Sequence, residues 1–147
     1  LFQHGHTYLG HPVAAAAARA VVEKIVKNDL VGRAAEKGKK LSKALEDKFS
    51  QHPNVGDIRG RGLFQGIEFV EDRETKKPFD PDLKFATKLK MNAFEAGLIC
   101  YPMSGTRDGK NGDHVLLAPP FIIEDSEMDE LIEKIDSAIT KTLGQCM

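Results

Sequence analysis

The chain has 147 residues, enough for one domain with a moderate core that buries roughly two thirds of its unfolded surface. Its 21 basic and 22 acidic side chains leave a formal net charge of −1, which gives no electrostatic footprint for nucleic acid or for an anionic membrane. The longest apolar run, Val13 to Ala18, is alanine-rich and stops at Arg19, far short of the ~20 residues that span a bilayer. No secretory signal is expected. Two cysteines, Cys100 and Cys146, make no disulfide framework and read as free thiols of a reducing compartment, so the expected location is cytoplasmic.

The first stretch, His4-Gly5-His6-Thr7-Tyr8-Leu9-Gly10-His11-Pro12, sets polar groups and two glycines against the start of an apolar helix. Glycine there lets the backbone approach something closely, and Pro12 suits a first helical turn. A threonine hydroxyl beside free backbone N–H groups is equipment for holding a phosphate or another small anion. The spacing then predicts a helix from Pro12 to about Lys27, with Ala16, Ala20, Ile25 and Val26 on an apolar face. Asn28 and Asp29 break it, and Asp29 is placed to cap the next helix. That second helix runs to about Ser50, with Leu30, Ala34, Leu41, Leu45 and Phe49 near one face. Lys37 to Lys40, Lys43 and Glu46 fall mostly on its wet side. His52-Pro53-Asn54 ends it.

Val55 to Val70 reads as strand, turn and strand, with Gly60, Gly62 and Gly66 set among Ile58, Leu63, Ile67 and Phe69. Residues 71 to 81 form an exposed, charged loop. A third helix starts at Asp82 and carries Leu83, Ala86, Leu89, Ala93 and Phe94, with Gly97 as its C-cap. Leu98 to Tyr101 is a short strand. Ser104 to Gly112, with three glycines and almost nothing apolar, is expected to be a mobile excursion. Val115 to Ala118 is another strand, stopped by Pro119-Pro120. Asp125 or Ser126 caps the last helix, in which Met128, Leu131, Ile132, Ile135 and Ile139 follow helical spacing. Helices flanking a small, mostly antiparallel sheet give an α+β fold class.

Four blocks, in order and spacing, carry a family resemblance. HGHTYLGHPVAAAAA resembles the H-x-H-T-[YF]-x-G-H-P segment of the class III pyridoxal-phosphate aminotransferases. Ile58-Arg59-Gly60-Arg61-Gly62-Leu63 with Gly66-Ile67-Glu68, then Glu95-Ala96-Gly97-Leu98, then Gly112-Asp113-His114 through Ala118-Pro119-Pro120-Phe121 fit the same family. The resemblance implies the carboxy-terminal third of a fold type I enzyme that uses pyridoxal 5'-phosphate. Residues 1–28 would be the tail end of its large domain, with the cofactor-phosphate loop and an interface helix. Residues 29–147 would be the small carboxy-terminal domain. It also implies a homodimer, and a Schiff-base lysine upstream of this chain, so that no catalytic residue lies within it.

For individual residues the resemblance implies that the Thr7 hydroxyl reaches across the dimer to the cofactor phosphate of the neighbouring subunit, with Tyr8 beside it. The competing reading has Thr7 bonding local backbone in a turn. His4, His6 and His11 invite a metal, but no cysteine or carboxylate lies close in sequence to complete a tetrahedral set, and no metal is expected. Arg59 and Arg61 would share one strand face. Arg59, the recurrent first arginine of R-G-x-G, is read as structural, pinning a glycine-rich turn through carbonyl bonds.

The segment before Pro119-Pro120 bears on substrate. Many family members acting on α-amino acids carry an arginine three residues before the first proline, where it clamps a carboxylate. Leu116 stands there in this chain. GDHVLLAPPF resembles the branch that takes ω-amino acids and amines, with pyruvate or a similar 2-oxo acid as acceptor. Arg107 is the nearby arginine that could swing in on a carboxylate, and Tyr101 with Pro102 would line the substrate entrance. Two other readings stand beside the aminotransferase. One is a non-catalytic domain that binds a protein partner through its first helix. The other is a decarboxylase or aminomutase of the same architecture.

Overall fold

The computed structural model describes residues 2–146. Helix α1, Pro12–Lys27, opens the regular structure, and α2, Leu30–Phe49, follows after a two-residue break. Both bounds match the sequence reading. The Asp29 carboxylate accepts the Gly32 N–H at 3.3 Å, so this residue does cap α2. Leu41, Leu45 and Phe49 are wholly buried along the expected face. The wet side is interrupted at two positions. Gly38 is buried because α2 crosses close over a hairpin turn: a Cβ there would stand 2.3 Å from Gly62 Cα. Lys37 is buried too, its stem lying against the protein while its ammonium reaches Asp125 Oδ1 at 2.5 Å.

Strands β1, Val55–Arg61, and β2, Phe64–Phe69, form the predicted hairpin, and Gly62 turns it with φ +56°. A 3-10 turn at Pro81–Leu83 comes before α3, Phe85–Glu95. The third helix therefore starts three residues later than Asp82. Asp80 accepts the Asp82 N–H and closes the short turn, and Lys84 then takes a left-handed φ of +52° that separates turn from helix. The cap of α3 comes from far along the chain, where Asp113 accepts the Ala86 N–H at 3.2 Å. Gly97, φ +77°, ends α3 as predicted. The Leu98 N–H bonds Ala93 and the Gly97 N–H bonds Phe94, the two bonds of a Schellman ending.

Strand β3 is Tyr101–Ser104 and β4 is Asp113–Leu117. The first lies three residues beyond the predicted Leu98 to Tyr101, because its ladder to β4 begins at the Tyr101–Leu116 pair and β4 ends before the prolines. Ser104 to Gly112, expected as a mobile excursion, is a hairpin connection that carries its own hydrogen bonds. The Asp108 carboxylate accepts from the N–H groups of Lys110 and Asn111 and from the Asn111 side chain. Those bonds, led by Asn111, hold its pKa down at about 2. Helix α4, Asp125–Gly144, is capped by Glu124 instead of Asp125 or Ser126. Glu127 accepts the Glu124 N–H at 2.8 Å, while Asp125 is engaged by Lys37 and Lys40 of α2.

The sheet has the order β1-β2-β4-β3 and is antiparallel throughout, which makes the α+β class the observed one. Alternation divides it into two faces. Ile67, Phe69, Val115 and Leu117 point into a single core with Leu45 and Phe49 of α2, Leu89 and Ala93 of α3, and Ile135 and Ile139 of α4. All three helices thus cover one face. The other carries Arg59, Phe64, Glu68, His114, Leu116, Tyr101 and Met103, none of them buried. Half-buried Cys100 packs beside the core, and burial pushes its thiol up to about 11. Helix α1 packs on α2 but buries none of its own residues. Its predicted apolar face is out in the open: Ile25 is half-buried, Val26 is 75% exposed, and Val13, Val21 and Val22 are exposed with it. No described helix is long and apolar enough to cross a membrane.

Candidate functional site

Two surfaces gather the residues singled out by sequence. The first is the turn that feeds α1. Bonds from Leu9 N–H to His6 and from His11 N–H to Tyr8 fold residues 6–11 into consecutive turns, and Gly10 takes φ +75°. Thr7 and Tyr8 are exposed. Among the described residues the Thr7 hydroxyl makes no hydrogen bond, and neither do the N–H groups of Thr7, Tyr8 and Gly10. The positions where Gly5 and Gly10 would carry a Cβ face open space. A hydroxyl and backbone donors left unpaired in an exposed turn, next to a helix N-terminus, are the donor set that a phosphate accepts from. The residues present therefore fit the phosphate end of a pyridoxal cofactor. The local backbone bond of the competing reading of Thr7 is absent among the described residues. The nearby imidazoles meet one another: His4 Nε2 lies 3.2 Å from His6 Nε2, and His11 Nδ1 accepts the Ala14 N–H at the start of α1.

The second surface is the open sheet face. Arg59, Gly60, Phe64, Gly66, Glu68, His114 and Leu116 line a groove of about 230 Å³ there. Gly66 is its floor, and Leu116 leans over the place where a Cβ of Gly66 would stand, 3.5 Å away. Leu116 and Tyr101 are register partners on β4 and β3, so the structure brings these two together. Arg107 is not with them. It sits near the tip of the β3–β4 hairpin, beyond Asp113, whereas Leu116 lies three residues along β4 toward the base. Roughly 10 Å of strand separates the two levels. Because Asp108 holds the backbone of the tip, any swing belongs to the exposed Arg107 side chain.

Arg59 does not grip carbonyls. Its Nη1 donates to Asp57 Oδ2 and to Glu68 Oε2, both at 2.7 Å, in an ion set laid across β1 and β2. Arg61 is exposed on the same face. The pKa of His114, paired with Glu68 in the ladder, is lowered by burial first and by Arg59 second, against the pull of Glu68 and Asp113. Neither Glu68 nor His114 stood out by sequence as part of one groove. Strand alternation could have found them, since both share the face of Arg59, opposite Ile67 and Val115. Arg33 is a further omission. It lies in the first turn of α2, and its acceptors are 88 to 91 residues away.

The structure thus joins a one-faced antiparallel sheet with an ion-flanked groove to an exposed turn and an unburied helix. Residues 1–139 match the family model for class-III aminotransferases, and the chain belongs to that family. An uncharacterized aminotransferase of Schizosaccharomyces pombe is 50% identical over 94% of this chain and 30% of its own length. A PLP-bound aminotransferase mutant from Vibrio fluvialis is similar in structure, with a TM-score of 0.87 and 30% identity over 99% of this chain and 30% of that one. A thermostable (S)-enantioselective omega-transaminase from Thermomicrobium roseum gives a TM-score of 0.83 and 34% identity, covering 97% of this chain and 30% of that chain. The chain thus spans about 30% of the length of the relatives it matches.

Proposed function

We propose that this chain is the carboxy-terminal part of a homodimeric, cytoplasmic, pyridoxal-phosphate-dependent aminotransferase. In this reading the parent moves an amino group from an ω-amino acid or amine to pyruvate or a similar 2-oxo acid. The lysine that anchors the cofactor lies outside the chain. When bound, the cofactor supplies the electron-withdrawing ring that lets an amino group be transferred. Residues of this chain bind and select. Thr7 donates its hydroxyl to the phosphate held by the neighbouring subunit, with Tyr8 beside it. Residues 1–28 then belong to the large domain, and residues 29–147 form the small domain whose open sheet face turns toward substrate.

Leu116 carries the substrate side of the reading. It stands on the open face between Gly66 and Tyr101, with Phe64 exposed nearby. An apolar side chain there gives an α-carboxylate no partner, and an unpaired charge in a closed site is costly. The kinship with the Thermomicrobium omega-transaminase supports a donor of the ω-amino acid or amine class. Arg107, reaching in from the hairpin tip, would be the partner of the acceptor's carboxylate. Initial rates of the parent on a panel of α-amino acids and terminal amines test this, with wild type, Leu116→Arg and Arg107→Ala compared. Terminal amines are expected to be the faster donors in wild type. Leu116→Arg should gain α-amino acid use by about tenfold, the worth of ~1.4 kcal/mol from a new charge-assisted pair. Arg107→Ala should lose pyruvate use. Dominant α-amino acid donors in wild type, with pyruvate use intact in Arg107→Ala, would contradict both parts.

A further inference from the structure

Strand β2 runs through the middle of the sheet, and on its open face Phe64, Gly66 and Glu68 follow one another at alternate residues. The face is thus broken at its centre. Arg59 of β1 and Leu116 of β4 stand opposite Gly66 in the two ladders, one on each side of the gap. Phe64 is 57% exposed and Leu116 half-buried, and both line the groove of about 230 Å³ that opens over Gly66.

Other glycines of the chain answer to the fold. Gly62 turns the hairpin with a left-handed φ. A Cβ on Gly60 would collide with the Phe64 carbonyl, and one on Gly38 with the Gly62 backbone. Gly66 meets neither need. Its φ lies outside the left-handed region. A Cβ there would stand 3.5 Å from Leu116 Cδ2, 3.6 Å from the Arg59 carbonyl oxygen and 3.9 Å from that of Val115, all ordinary contacts. Alanine would therefore fit, and it would lose less chain entropy on folding. A strand glycine that neither turns the chain nor relieves a clash marks a place where something approaches the backbone closely. What the missing side chain leaves is a bed of bare backbone between the Phe64 ring and the Leu116 chain, with Glu68 and His114 one rung further on.

We infer that Gly66 is a specificity-determining residue: the apolar body of the amine donor lies on its bare backbone, between Phe64 and Leu116, and a side chain there would exclude broad donors. This role rests on the reading of the open sheet face as the substrate side. It involves no contact with the cofactor, so a substitution at Gly66 acts on donor binding alone.

The test uses the full-length parent as holoenzyme, with Gly66→Ala and, as a control, Gly144→Ala at the end of α4, where a Cβ would meet nothing within 4 Å. The donors are benzylamine, which is broad, and butylamine, which is slim. Gly66→Ala should keep a thermal midpoint at or above wild type. Its KM should rise roughly tenfold for benzylamine and less for butylamine, with kcat and the cofactor absorbance spectrum little changed. One methyl group in an apolar pocket is worth about that factor, and a loss of binding alone moves KM. Gly144→Ala should keep the wild-type KM for both amines. An unchanged benzylamine KM in Gly66→Ala overturns the inference. So does a clear fall in its thermal midpoint, which would make the glycine a packing requirement, and so does an equal KM rise in Gly144→Ala. Leu116→Arg, measured beside them, reports on the open face itself. A changed donor preference there with an unchanged KM in Gly66→Ala sinks the role of Gly66 alone, and no change in either sinks both.

Discussion

Asp113 shows how a residue can be legible as part of a motif while its job is not. Gly112-Asp113-His114 stood out as a family block, yet the carboxylate points into the protein and accepts the Ala86 N–H at the start of α3. Burial raises its pKa above the ordinary carboxylate value, and the bond from Ala86 only partly offsets this. A pKa raised by folding means that the fold prefers the protonated acid. The stabilising contribution is then full below the unfolded value, about pH 4, and is lost as pH rises through the folded one. Asparagine keeps an acceptor for Ala86 and has no charge to desolvate. Asp113→Asn should therefore gain on wild type in thermal midpoint between about pH 3.5 and pH 7. A gap that stays constant, or moves the other way, would show that ionised Asp113 is not penalised in the fold. Thr7 and Leu116 could be singled out by sequence because short local motifs carry them. Arg33 could not be, because its partners are ones that only folding brings near.

Among the elements, the helices α1 and α2 were legible to within about a residue, since their signals are local: Pro12 in a first turn, Asp29 as a cap, a run of apolar residues at helical spacing. The Gly97 ending was legible for the same reason. The start of α3, the position of β3 and the cap of α4 were not. Each is settled by a partner elsewhere, namely Asp113 for α3, the end of β4 for β3, and Lys37 with Lys40 drawing Asp125 away from the cap of α4. Helix α1 is informative in another way. Of its predicted apolar face, Ala16, Ala20 and Val26 stand exposed and Ile25 is half-buried, with Val13, Val21 and Val22 exposed beside them. Among the described residues nothing covers them, which supports its assignment to an interface with the rest of the parent or with the second subunit. Val22→Asp should then sediment as monomer with loss of activity, since a carboxylate trapped in an apolar interface is costly. The control is retention of helical and sheet signal by circular dichroism. A parent that stays dimeric and active with this charge would remove α1 from the interface.

For the whole molecule, the chain spans about 30% of the length of its relatives, and in the proposed parent the site would be completed by residues outside it. The sequence blocks run in the family's order along nearly the whole chain, which is why membership could be read before any fold was seen. The substrate could not be read so directly, because in the proposed parent the open sheet face would meet its partner only in the complete protein. None of the chain's own lysines lies in the anchoring motif of the proposed parent. Incubation with pyridoxal phosphate and then borohydride should leave no single lysine labelled stoichiometrically, and one uniquely labelled lysine would end the view of this chain as an incomplete part. The central claim, that the turn before α1 serves the cofactor, is met most directly by the cofactor dissociation constant of the intact dimer with Thr7→Ala. Loss of one hydrogen bond to a charged group is worth about 1.5–3 kcal/mol, so affinity should fall roughly ten- to a hundredfold. Thr7→Ser should hold near wild type, and the thermal midpoint of the apo form should not move. Unchanged cofactor affinity in Thr7→Ala would contradict the account.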